Sequence, residues 1–204
     1  MSETAVQPMN QSIRIWALRI ALIACLPLVL LGVPVWGAGV MQGLKVLGTL
    51  MLIAGVLYRF WAILYIGGRK NATVVQDGPY SMSRHPLYFG TCIGALGFGL
   101  MLGSLLLAAL FGTLALVVLT ATAVREERYL RAEFGADYEA FSARVTHRVL
   151  PQPGLFTTPE DVSFKPRILR SNLADALGFL AVIPLVEVLE AIRGLGLAAT
   201  FPIF

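Results

Sequence analysis

Arg84, His85 and Tyr88, and beyond them Glu126 and Glu127, are the residues of this chain whose types and spacing suggest chemistry. The first group lies in a stretch before a long apolar run, Asp77-Gly78-Pro79-Tyr80-Ser81-Met82-Ser83-Arg84-His85-Pro86-Leu87-Tyr88-Phe89-Gly90. The second, Arg125-Glu126-Glu127, follows the next run. A carboxylate can pair with an ammonium while an imidazole or guanidinium meets a carboxylate, so the set suits a zwitterionic ligand. Each residue alone has a plainer reading. His85 before a proline can cap a helix, Arg84 can anchor at headgroups, Tyr88 can sit in an interfacial belt, and the glutamates can complement a helix dipole. Gathered beside hydrocarbon, such a cluster is costly without a purpose.

The pattern of apolar blocks is what would gather them. Of 204 residues, 57% are hydrophobic and 14% charged, and the mean hydropathy is +0.75, a membrane composition. The apolar residues fall in blocks of roughly 17 to 21, the length that crosses about 30 Å of hydrocarbon. A net charge of +4 could suit nucleic acid, but the basic residues flank apolar blocks, so anionic lipid headgroups are the expected counter-charge and no nucleic-acid partner is expected. Cys25 and Cys92 lie within apolar segments and read as buried small hydrophobes; with two histidines in all, no metal cluster is expected. The polar residues 1–12 precede the first block without a clean cleavage site, which reads as a retained first span.

The expected architecture is all-α: a polytopic transmembrane helix bundle of about five spans, with a cytoplasmic amphipathic helix completing a pocket. Spans are expected over about residues 15–36, with Pro27 and Pro34 as kinks, and 44–66, then 85–102 and 104–124, which are broken only at Gly103-Ser104. These last two form a tight hairpin, which returns both polar stretches to one membrane face. Gly90, Gly94 and Gly97 are spaced to admit a close neighbouring helix. After Val124 an amphipathic interfacial helix is expected, with Leu130, Phe134, Tyr138 and Phe141 on its apolar face. Arg128, Arg131 and Glu139 occupy its other face, and Glu127 precedes Arg131 by one favourable step. Pro151, Pro153 and Pro159 mark a loop. Residues 173–192, carrying Asp175, Pro184, Glu187 and Glu190, form a fifth span or an interfacial helix, with a span favoured. Arg14, Arg69, Lys70, Arg84 and the basic residues over 125–170 fall on one side, Lys45 and Arg193 on the other, so the first side is assigned to the cytoplasm.

At the cluster the chain resembles a known family. Arg84-His85-Pro86-Leu87-Tyr88-Phe89-Gly90 is similar to the Arg-His-Pro-x-Tyr-x-Gly motif of the isoprenylcysteine carboxyl methyltransferases, which share features with the phospholipid N-methyltransferases. Glu126-Glu127-Arg128-Tyr129-Leu130, then Phe134-Gly135-Ala136-Asp137-Tyr138, resembles the second signature of that family. Two ordered motifs over about 44–151 are more specific than either alone. The resemblance implies a methyltransferase core over 44–151 within one integral membrane domain of 1–204, with 165–204 as an additional C-terminal helix. It implies S-adenosylmethionine as methyl donor, a lipophilic acceptor, and no metal. His85, Pro86, Leu87 and Tyr88 would contact the donor, Tyr80 would line its adenosine side, and Glu126 would hold its charged methionyl end. Ala72, Thr73, Val74 and Val75 would add backbone edges.

The acceptor stays open among carboxylate, phospholipid amine and lipophilic thiol. Where the prenylcysteine enzymes place an arginine one turn before the glutamates, this chain has Thr122. Arg59, in the second span, either substitutes by facing the bundle or snorkels to the headgroups. Arg84, Glu127 and Arg59 are the candidate catalytic residues, with Glu127 or Tyr88 as a conceivable proton relay for an amine. The expected location is a bacterial inner membrane, with the site facing the cytoplasm. A membrane scaffold or small transporter is the competing class; a transporter usually shows repeated halves or broken helices with polar midplane residues, and apart from Arg59 and the acids of 173–192 the sequence shows none.

Overall fold

Gly48 and Gly55 stand about two helical turns apart, and so do Gly90 and Gly97. The computed structural model describes residues 11–69, 72–195 and 201–204. Expectations about residues 1–10 and Lys70 lie outside them. In chain order the elements are α1 (Gln11–Leu31), β1 (Gly32–Pro34), α2 (Ala38–Ile66), α3 (Pro79–Met82), α4 (Pro86–Met101), α5 (Leu105–Phe134), α6 (Ala136–Arg144), a short 3-10 turn (Pro153–Leu155), α7 (Pro166–Leu180), α8 (Val182–Gly194) and β2 (Phe201–Ile203). The chain is thus mostly helical.

The glycines join α2 to α4, and they do so pairwise and antiparallel. A Cβ on Gly55 would stand 2.5 Å from the Gly90 carbonyl oxygen, and one on Gly97 would stand 2.6 Å from that of Gly48. The two backbones therefore meet without side chains between them, the packing that small residues permit in membrane helices. Gly90 and Gly97 were expected to face a neighbour; Gly48 and Gly55 are the matching half, visible only once the seven-residue spacing is compared between helices. Gly94 also faces α2, with Leu52 in ordinary contact.

The α4–α5 hairpin turns on Gly103 and Ser104. Gly103 has φ +72°, which a side chain would strain, and Ser104 Oγ accepts the Leu107 N–H at 3.1 Å as the N-cap of α5. Gly99 lies against the Ala108 backbone, keeping the hairpin tight. Among the described residues, α2 and α5 are the two helices long and apolar enough to cross a membrane. α4 is a shorter apolar helix of 16 residues.

Several boundaries differ from the expectation. α1 stops at Leu31, so Pro27 lies inside the helix while Pro34 lies in β1. β1 pairs in parallel with β2, Gly32 opposite Phe201 and Pro34 opposite Ile203, adding a small ladder to a fold expected to be all helix. α5 does not end near Val124 but continues to Phe134, and the chain bends at Gly135, φ +48°. At 1.5 Å per residue its 30 residues span about 45 Å, so the turns from Arg125 onward project beyond the hydrocarbon. The amphipathic stripe therefore crosses a break: Leu130 and Phe134 end α5, and they pack against Tyr138, Phe141 and Val145 beyond it.

The segment over 173–192 is a broken helix: it divides at Ala181 into α7 and α8, of 15 and 13 residues. Pro184 has no N–H to give to Leu180, which explains a break there. At the far end of the bundle from the polar cluster, Lys45 Nζ meets Glu187 at 2.9 Å and Glu190 at 2.7 Å, tying α8 to the start of α2. Arg193 donates to the Val29 and Leu30 carbonyls.

Candidate functional site

Three segments build the site: the stretch over 82–85 that leads from the end of α3 into α4, the end of α5, and the return over 146–152. Pro86 at the first position of α4 fixes the backbone there and needs no hydrogen-bond acceptor for a missing N–H. The preceding residues pair with the return segment. His85 N–H donates to the Arg148 carbonyl at 2.8 Å, Arg84 N–H to that of His147 at 3.2 Å, and Gln152 N–H to that of Met82 at 2.9 Å. Ser83 Oγ, fully buried, adds bonds to the Arg148 and Val149 carbonyls, each at 3.1 Å.

On this frame the side chains converge as the sequence suggested. Tyr88 Oη donates to Glu126 Oε2 at 2.7 Å. The His85 ring stacks on the Tyr88 ring, with centroids 5.2 Å apart and planes 7° apart. His85 Nδ1 stands 3.5 Å from Glu126, and Nε2 stands 3.5 Å from Glu127, distances of ion pairing and too long for well-formed hydrogen bonds. Burial alone would lower the imidazole pKa, but the two carboxylates outweigh it and raise the value above 6.5.

Glu127 is 0% exposed. It receives Arg84 Nη1 at 3.1 Å and Arg148 Nε at 3.1 and 3.2 Å. Burial would raise its pKa, yet His85 and the Arg84 and Arg148 guanidinium groups bring it below the ordinary 4.5. Arg84 Nη2 also donates to the Thr146 carbonyl at 2.8 Å. Glu127 is therefore the hub of a buried ionic network that joins all three segments. The helical pair expected between Glu127 and Arg131 does not form; Arg131 meets Glu139 instead, at 3.0 Å. Arg148 is the site residue that sequence reasoning missed. It lay within the basic series assigned to the cytoplasmic side, and nothing local distinguished it from its neighbours.

Tyr80 is buried on α3, and its hydroxyl is enclosed with no hydrogen-bond partner. Burial comes first and the Glu126 charge second in raising its pKa. α3 is held by Gly78, whose φ of +59° and contact with the Tyr65 ring leave no room for a side chain. Ser81 Oγ ties the segment to the Gly78 carbonyl at 2.7 Å and to the Thr157 N–H at 2.9 Å.

Arg59 resolves to the bundle-facing alternative: Nη1 donates to Thr91 Oγ1 at 2.6 Å and to the Leu87 carbonyl at 3.3 Å. Thr122 bonds back to the Val118 carbonyl at 2.8 Å, within its own helix. Val75 packs beside the Tyr80 cluster and Val74 beside that of Tyr138. Ala72 and Thr73 are exposed, in a turn closed on the Arg69 carbonyl, and are not among the residues brought to His85. Among the described residues no group of three or more His, Cys, Asp or Glu could hold a metal.

Residues 44–137 match the phospholipid methyltransferase family. The match extends to whole proteins: the chain is 33% identical over 186 residues to the cobalt-zinc-cadmium resistance protein CzcN of Cupriavidus metallidurans, covering 90% of this chain and 84% of that protein. The chain belongs to the phospholipid methyltransferase family. It is also 31% identical over 158 residues to the nickel-cobalt-cadmium resistance protein NccN of Alcaligenes xylosoxydans xylosoxydans, covering 78% of this chain and 72% of that one. No solved structure matches it. Family membership and the two long apolar helices together mark a membrane protein. The family match takes in Arg59, Tyr80, Arg84, His85, Tyr88, Glu126 and Glu127, and it ends before Arg148 and the return segment that completes the ionic network.

Proposed function

We propose that this membrane protein is an S-adenosylmethionine-dependent methyltransferase acting on a lipophilic acceptor at the cytoplasmic face of a bacterial inner membrane. The observation that carries the reading is the Tyr88–Glu126 pair beside the buried, unpartnered Tyr80 hydroxyl. A carboxylate set among aromatic rings is suited to a cationic ligand, and an enclosed hydroxyl without a partner is suited to a polar group arriving with it. The residues fit the donor on these grounds.

When bound, S-adenosylmethionine supplies a methyl group on a sulfonium centre, activated for in-line displacement. The chain has four tasks around it. Glu126, held by the Tyr88 hydroxyl, pairs with the ammonium of the methionyl end. His85, stacked on Tyr88, gives a donor edge to the same end, and the backbone of Pro86 and Leu87 supplies the floor. Tyr80 closes the adenosine side, and Val74 and Val75 border it. The surrounding apolar helices exclude water, so alignment is the main contribution to rate. Arg84 and Glu127 act through His85 by holding it in place. The preferred acceptor reading is isoprenylcysteine-carboxyl-methyltransferase-like, with phospholipid amine and lipophilic thiol as alternatives. CzcN and NccN are named for resistance to cobalt, zinc, cadmium and nickel, and a role in metal resistance is part of the reading.

The test is calorimetric binding of S-adenosylmethionine to the purified protein in lipid nanodiscs, with Glu126→Gln as the variant and thermal melting as the fold check. Micromolar binding by the parent and its loss in a folded Glu126→Gln is the expected result. A folded parent that does not bind returns the chain to the scaffold class.

A further inference from the structure

A guanidinium in a membrane helix is costly, and the protein has gone to some length to fix the one on α2 in place. The stem of Arg59 passes over Gly90, where a Cβ would lie 2.7 Å from Arg59 Cγ, so a side chain at position 90 would displace it. Nη1 is oriented by the Thr91 hydroxyl and the Leu87 carbonyl, and Cζ lies 5.4 Å from the centroid of the Phe179 ring on α7. This group lines a shallow, open cleft between α2 and α7. Val56, Phe60, Ile63 and Phe179 form its apolar wall, and Asn172 joins Arg59 as a polar contributor.

We propose that the α2–α7 cleft binds a membrane amphiphile through an anionic headgroup, with Arg59 receiving the headgroup and the apolar wall receiving the start of the tail. Charge and lining select this occupant. The cleft is open, so a headgroup meets Arg59 at its mouth and the tail leaves along apolar surface. A free anion would leave that wall exposed, and a cationic headgroup would meet Arg59 unfavourably. Asp175, exposed on α7 at the same cleft, opposes the anion and limits its affinity. α7 lies beyond the family match over 44–137, so one wall is supplied by the C-terminal extension. Arg59 is bonded to the Leu87 carbonyl, one residue before Tyr88, which sets the headgroup next to the proposed donor site. The assignment of the bound amphiphile as the methyl acceptor rests on the methyltransferase reading; its binding does not.

The experiment is calorimetric titration of the protein, in a neutral maltoside detergent, with laurate, dodecyl phosphate and dodecyltrimethylammonium. Either anion should bind at least about tenfold more tightly than the cation, and Arg59→Gln should remove that preference, as expected for a hydrogen bond to a charged group. The preferred anion identifies carboxylate or phosphate chemistry. Arg59→Lys should retain part of the affinity, Ala176→Trp should block the cleft, and Asp175→Asn should tighten both anions. Equal binding of anion and cation, or unchanged affinity in folded Arg59→Gln and Ala176→Trp, overturns the proposal. S-adenosylmethionine binding is read on the same samples. Anion binding without it sinks the methyltransferase reading alone, and its presence without anion selectivity sinks this site alone.

Discussion

Arg148 Nε lies 3.1 and 3.2 Å from the two carboxylate oxygens of Glu127, bridging the return segment to the end of α5. Glu127 is also met by Arg84 from the segment before α4. One buried carboxylate thus holds two chain segments that sequence separates widely. The arrangement makes Glu127 a positioning residue, and its removal leaves two guanidinium groups facing each other.

Glu127→Gln should therefore cost stability first. Breaking a buried pair from one side typically costs about 3 to 5 kcal/mol, because the remaining charge is left uncompensated. The expected result is a large drop in melting temperature in detergent. Arg148→Gln should cost less, because its side chain is 43% exposed and water can replace part of the contact. Equal losses from the two variants would argue against Glu127 as the hub.

The imidazole gives a pH dependence whose sign follows from its neighbours. His85 has a raised pKa in the folded protein, so its contribution is complete below the ordinary 6.5 and is lost as pH climbs through the raised value. Glu127, with a lowered pKa, loses its contribution only as pH falls below 4.5 and does not affect that window. The gap in melting temperature between parent and His85→Gln should narrow as pH rises from 6.5 through that raised value. A gap that stays constant over this range would mean the ring is held neutral throughout.

Much of this site was legible in the sequence because its chemistry is dense and ordered: Arg84, His85, Tyr88, Glu126 and Glu127 come together because a hairpin must return both flanking segments to one face. Arg148 was not legible, since an arginine in a loop becomes a site residue only when the return segment pairs with residues 82–85. The helix end at Phe134 was missed for a related reason. Charge begins at Arg125 and reads as the end of a span, but a helix backbone continues through charged residues until a glycine such as Gly135 releases it. The split at Ala181 follows from Pro184, which the sequence displayed, although membrane helices tolerate proline and the residue alone did not decide it.

The Tyr88 hydroxyl and the Tyr88 ring can be separated experimentally. Tyr88→Phe keeps the surface on which His85 stacks and removes the 2.7 Å bond to Glu126. A hydrogen bond to a charged group contributes about 1.5 to 3 kcal/mol to stability, so Tyr88→Phe should lower the melting temperature, and affinity for S-adenosylmethionine should fall because Glu126 is no longer oriented. Tyr88→Leu should lower both further, because the stack is lost as well. If Tyr88→Phe binds like the parent, the phenol does not orient Glu126.

The glycine contact between α2 and α4 allows the most direct test of the fold beneath the site. At Gly55 a new Cβ meets the Gly90 and Gly94 backbones, which cannot rotate aside as a side chain can. Gly55→Leu should therefore separate α2 from α4, with a penalty at or above the roughly 1 to 3 kcal/mol usual for overpacking. Because Gly90 lies one turn beyond Pro86, the displacement should reach His85 and Tyr88, so donor binding should fall along with stability. Gly43 is on the same helix, yet a Cβ there would meet nothing within 4 Å. Gly43→Ala should be neutral or stabilising by up to about 1 kcal/mol, since alanine restricts the unfolded chain and favours helix. If Gly55→Leu and Gly43→Ala melted together, the close approach of α2 and α4 could not be what sets the geometry of the site.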